Sequence, residues 1–101
     1  MNKYLIIFFL FFSKYSFSQE IKTIENLILQ KKYLEADSIL KTNIVGSNKV
    51  SSELTFLFGK NSFFLNKYNQ SINWLNKYLE LKGQNGKYSD ETIKFLELSN
   101  T

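Results

Sequence analysis

An all-helical fold built from antiparallel hairpins is the architecture this sequence predicts, and three observations carry it. Apolar residues recur at three-, four- and seven-residue spacings along Leu54 to Gly83, the period of helices with one buried face. Proline is absent and strict two-residue alternation is nearly so, which leaves nothing to argue for a sheet. Tyr33-x-x-Ala36-x-x-Ile39-Leu40 also lies over Tyr68-x-x-Ser71-x-x-Trp74-Leu75 at an offset of 35 residues. One helical hairpin per repeat produces a period of that size.

From the N-terminus, residues 1–18 read as a secretory leader. Lys3 gives a short basic start, Tyr4 to Phe12 is an unbroken apolar run of nine residues, and Ser16-Phe17-Ser18 places small residues at alternate positions before Gln19. A spanning helix needs about 20 apolar residues, whereas this run has the length of a signal-peptide core. Lys14 and the serines at 13, 16 and 18 make the stretch too short and too polar for an uncleaved anchor, so cleavage is expected after Ser18. The expected product, residues 19–101, is one small exported domain, periplasmic or secreted, that meets a membrane only through its leader. Without cysteine it has no lipid-bearing N-terminal thiol, no disulfide and no thiolate metal site.

Five helices are expected in that domain. The first runs from Glu20 to Gln30 with Ile21, Ile24, Leu27 and Ile28 on one face, and Lys31-Lys32 forms a charged corner. The second spans about Tyr33 to Thr42, with Tyr33, Ala36, Ile39 and Leu40 inward, and Asn43 to Lys49 is a loop. Ser51 caps the third, whose first turn holds Glu53 and whose inner face carries Leu54, Leu57, Phe58, Phe64 and Leu65. Asn66 stands where a left-handed residue is needed, and the fourth helix, with Ile72, Leu75 and Leu79 inward, closes at Gly83. In the fifth, to about Leu98, Ser89 is the expected cap, Asp90 and Glu91 fill the first turn, and Tyr88 is placed to staple onto Ile93.

Composition removes most chemistry. The formal charge is +4, two lower without Lys3 and Lys14, and every basic residue is lysine, scattered among glutamates. Without the planar guanidinium that grips base edges and phosphates, a nucleic-acid role is not expected. Histidine is missing as well as cysteine, which removes the commonest general base and most transition-metal sites. Ser62 and Ser71 have no base in prospect, the acids fall at helix ends or on polar faces, and Gly83 to Gly86 is a turn rather than a phosphate loop. No catalytic residue, metal or cofactor is expected. Abundant Asn, Lys, Ile and Phe without Arg fits an AT-rich bacterial coding sequence.

The residues of the two hairpins resemble the tetratricopeptide repeat. Phe58-Gly59 stands at that family's Leu-Gly position, Tyr68 at its aromatic position after the turn, Ser71 at the small crossing position and Leu75 at the later Phe position. Gly83 replaces the terminal proline, Thr55 the leading tryptophan and Ser62 the tyrosine. In the first repeat, Tyr33, Ala36 and Leu40 fit, while Ile24 stands where glycine or alanine is preferred. The resemblance implies a short solenoid of about two and a half repeats: one at about 20–46, one at about 51–83, and a terminal helix at 89–99.

It also implies a non-catalytic scaffold that holds a peptide or protein segment in a concave groove lined by the first helix of each pair. The groove stripe would be Ile21, Glu25 and Ile28, then Glu53, Phe56, Lys60 and Phe63. Members that clamp a terminal carboxylate carry polar and basic residues where Ile21 and Phe56 stand, so that clamp is not expected. Phe56, Phe63 and Phe64 have a second reading, as rings packed between adjacent helices. The last helix has one too: Phe95, Leu96 and Leu98 would form an interface for a second copy, or for further repeats of a longer array, if they remained open.

Overall fold

Five α-helices and no strand make up the described residues, which in this computed structural model are 17–45 and 50–100. The helices are α1 (Phe17–Leu29), α2 (Tyr33–Val45), α3 (Ser52–Phe64), α4 (Tyr68–Lys82) and α5 (Ser89–Ser99), with a 3₁₀ turn at Gly83–Asn85. Each expected helix is present. The second continues past Thr42 to Val45, with the Asn43 side-chain amide donating to the Ile39 carbonyl at 2.8 Å. Most of the expected leader, and Gly46 to Lys49 of the expected loop, lie outside the described residues; Phe17 and Ser18 open α1.

Helix ends follow local chemistry. The Leu54 amide donates to the Ser51 hydroxyl at 3.1 Å, which satisfies one of the free N–H groups at the start of α3. Both hairpin turns close in one pattern. Lys67 N–H donates to the Ser62 carbonyl and Asn66 N–H to Phe63; 35 residues earlier, Lys32 N–H donates to Leu27 and Lys31 N–H to Ile28. A bond that reaches back five residues requires a left-handed residue in the turn, and Asn66 (φ 63°) and Lys31 (φ 61°) supply it. Asparagine takes this conformation readily; lysine carries no such signal, and only its place one period before Asn66 points to it.

The tightest packing lies between α3 and α4. A Cβ on Gly59 would stand 2.8 Å from the side chain of Leu75 and 3.2 Å from its backbone nitrogen, so the missing side chain is what admits the second helix. Ser71 donates to the Gly59 carbonyl at 2.7 Å across the same crossing, and Phe58 stacks on Trp74 with ring centroids 4.9 Å apart. Ala36, Leu40, Ser71 and Leu75, two of the four pairs set by the 35-residue offset, are all fully buried. The hairpins are joined by the Asn61 side-chain amide, which donates to the Tyr33 carbonyl at 2.9 Å, and by Tyr33 stacking on Phe64 at 4.9 Å.

Each helix packs on its neighbours in sequence, and α3 also lies against both α1 and α5, whereas α2 and α4 do not meet. One layer is therefore α1, α3 and α5, backed by α2 and α4. The start of α5 differs from expectation. Instead of capping the helix, Ser89 closes the preceding loop, donating to the Gly83 carbonyl at 2.7 Å and accepting from the Gly86 amide at 2.9 Å. Tyr88 stands at the cap position without a side-chain cap, and its N–H donates to the Tyr78 hydroxyl at 2.8 Å.

Gly59→Ala is expected to destabilise the chain by about 1–3 kcal/mol through overpacking. Adding Leu75→Ala should recover part of that loss, so the two changes combine to less than their sum. Urea unfolding of both singles and the double measures this, and full additivity would count against the crossing described.

Candidate peptide-binding cleft

The layer of α1, α3 and α5 encloses a cleft of about 130 Å³. Glu25, Ile28 and Leu29 come from α1, Phe56, Leu57 and Lys60 from α3, and Tyr88 and Glu91 from the start of α5. Helical period explains the grouping, since positions three and four apart share a face. The base is apolar and fixed. Phe56 is 1% exposed and stacks on Tyr88 with centroids 4.4 Å apart, and both rings meet Tyr78 at a tilt.

The rim is charged. Lys60 Nζ lies 2.7 Å from a carboxylate oxygen of Glu91 and above the rings of Phe56 and Phe95, at 5.8 and 5.9 Å from their centroids. Among the described residues, Glu25 and Glu53 form no such pair. Burial pushes the Tyr88 phenol above its ordinary value, and the negative charge of Glu25 pushes the same way, against the nearby Lys87 ammonium. Lys87, whose Nζ sits 5.2 Å from the Tyr88 ring centroid, is in turn held above the ordinary lysine value, first by the Tyr88 hydroxyl and more weakly by Glu53 and Glu25.

Of the residues expected in a groove, the fold gathers Glu25, Ile28, Phe56 and Lys60 in this cleft. Ile21 is instead in the core at 5% exposure, and Glu53 stands outside the walls. Phe63 turns to a separate aromatic cluster with Phe64, Tyr68 and Phe95. For Phe56, Phe63 and Phe64 the packing reading therefore describes most of each ring. Phe95, expected at an open surface, is only 8% exposed because Phe63 and Phe64 close over it at 5.0 and 5.7 Å. Of that trio Leu96 is half-buried and Leu98 remains exposed.

Leu29, Leu57, Tyr88 and Glu91 were not expected in the cleft. For Leu29 and Leu57, the neighbours Ile28 and Phe56 were the available signal. The sequence places Tyr88 to staple onto Ile93; packing α5 against α3 draws its ring onto Phe56 instead, and Ile93 stays exposed. Among the described residues, no group of acids, His or Cys is placed to hold a metal ion, and no helix is long and apolar enough to cross a membrane. Comparison with protein-family models, with curated proteins and with solved structures finds no match.

The raised Tyr88 value gives a pH-dependent expectation. Because folding favours the neutral phenol, its contribution to stability is intact below the ordinary tyrosine value of about 10 and is lost as pH rises through the folded value. Tyrosine-selective NMR titration should show Tyr88 ionising above the ordinary tyrosine value of about 10. In Glu25→Gln the Tyr88 midpoint should fall, since an opposing negative charge has gone; an unmoved midpoint would detach Glu25 from the cleft's electrostatics.

Proposed function

We propose that this chain is a non-catalytic binding module of the tetratricopeptide-repeat kind that holds a peptide or protein segment against α1, α3 and α5. The observation that carries the reading is a cleft with walls from three helices of one layer, apolar at its base and charged at its rim. Its size fits the purpose. Pockets for drug-sized molecules run to about 300–1,000 Å³, whereas about 130 Å³ admits little more than one side chain. A partner anchored by a single residue and steadied along the rim matches helix-in-groove or extended-peptide recognition.

The repeat assignment is supported by the paired turns at Lys31 and Asn66 and by the small residues at the α3–α4 crossing. Phe56 is a poor probe of binding, because its loss would unseat Tyr78 and Tyr88. Leu29, at 77% exposure on the cleft wall, is the better one. Peptides selected from a displayed random library against the full chain should shift the NMR signals of Ile28, Leu29 and Leu57. Leu29→Asp should weaken them at least tenfold, about 1.4 kcal/mol, with unchanged circular dichroism. Selected peptides whose binding ignores Leu29→Asp would place recognition elsewhere.

We also infer export, from Lys3, the apolar run Tyr4 to Phe12 and the Ser16-Phe17-Ser18 pattern. Expressed in a bacterial host, the protein should be recovered outside the cytoplasm with Gln19 as its first residue by N-terminal sequencing. An intact Met1 end on cytoplasmic protein would reject this.

A further inference from the structure

The charges around the cleft are unevenly paired. Of the two cations near it among the described residues, Lys60 is engaged by Glu91 at 2.7 Å and held above two rings, and Lys87 lies over the Tyr88 ring. Among the described residues three carboxylates lie near them: Glu91, which Lys60 neutralises, and Glu25 in the wall and Glu53 outside it, neither with an ion pair. Glu25 stands in the wall itself, beside Ile28 and Leu29. At Tyr88, burial first and then the charges of Glu25 and, more weakly, Glu53 hold the phenol above its ordinary value, against the nearby Lys87. An acidic segment would meet unpaired carboxylates with the nearest wall lysine already committed, and like charges so placed are costly.

We propose that the partner segment is cationic and apolar: one aliphatic side chain enters the cleft over Phe56 and Leu57, and a lysine or arginine on the same segment pairs with Glu25. This rests on the cleft being the binding site and adds the chemistry of its occupant. The Lys60–Glu91 pair acts as a fixed wall, neutral as a whole, so selectivity falls to Glu25. A basic residue in the partner supplies the ion pair that Glu25 lacks, while an acidic one at that place is repelled.

The test uses the full chain and blocked, fluorescein-labelled nonapeptides of Gly and Ser. Each carries one leucine followed, one to four places later, by lysine, glutamate or glutamine. Affinities come from fluorescence anisotropy, and the location from NMR shifts of the Ile28, Leu29 and Leu57 methyl groups. At least one lysine peptide should bind at the cleft tenfold or more tightly than its glutamate counterpart and lose that advantage at high salt, because rim charges are screened. Glu25→Lys should reverse the order, and Glu25→Gln should level it; both variants alter a partly exposed side chain without an ion pair, and circular dichroism checks that they fold.

Binding at the cleft with no preference among lysine, glutamine and glutamate would overturn the charge assignment and leave the cleft as a binding site. A lysine preference that survives Glu25→Lys would overturn it as well. No shift at Ile28, Leu29 or Leu57 with any peptide would remove the cleft reading and this proposal together.

Discussion

The crossing of α3 and α4 at Gly59 is the constraint on which the rest depends. Two helices approach this closely only where one lacks a side chain, and the 2.8 Å that would separate a Gly59 Cβ from Leu75 leaves no room for one. The Ser71 hydroxyl turns the closeness into a specific contact, since its bond to the Gly59 carbonyl fixes both rotation and translation of α4 against α3. Phe58 and Trp74 then stack along the same seam. With α4 seated behind it, α3 presents Phe56 and Lys60 between α1 and α5 of its own layer. That placement makes α3 the middle wall of the cleft.

Ring packing extends the constraint to both neighbours. Phe56 meets Tyr88, and Phe63 and Phe64 meet Phe95, which ties α5 to α3; Tyr33 on Phe64 ties the first hairpin to the second. Aromatic pairs of this kind add about 0.5–1.5 kcal/mol each beyond their burial. For a domain that buries only about 60% of its unfolded surface, such contacts are a large share of what holds it. Of these rings Phe56 and Tyr88 also form the cleft base, so one contact that holds α5 to α3 shapes the cleft as well.

Charge plays a different part. The Lys60–Glu91 pair is partly exposed, and pairs of that kind contribute about 0–1 kcal/mol. Its consequence is positional: it joins α3 to α5 across the mouth of the cleft, neutralises both partners, and leaves Glu25 as the wall carboxylate without an ion pair among the described residues. A lysine expected to meet a ligand is thereby occupied within the protein.

The division between sequence and tertiary structure follows the range of the forces. Helix number, most of the inward faces, the Ser51 cap, the left-handed Asn66 and the small residues Gly59 and Ser71 were legible in the chain, because each depends on residues within a turn or two or on one 35-residue offset; Phe64, read as inward, is instead 37% exposed. The cleft was half legible: periodicity placed Glu25, Ile28, Phe56 and Lys60 on shared faces but gave no account of what would lie opposite. Whether Phe95 stayed open, whether Tyr88 reached Ile93 or Phe56, and whether Lys60 was free depended on how the loop at Gly83 to Tyr88 sets α5 against α3. Those outcomes are decided by contacts between residues about 30 positions apart, where ring stacking and burial outweigh local preference, and no local pattern carries that information.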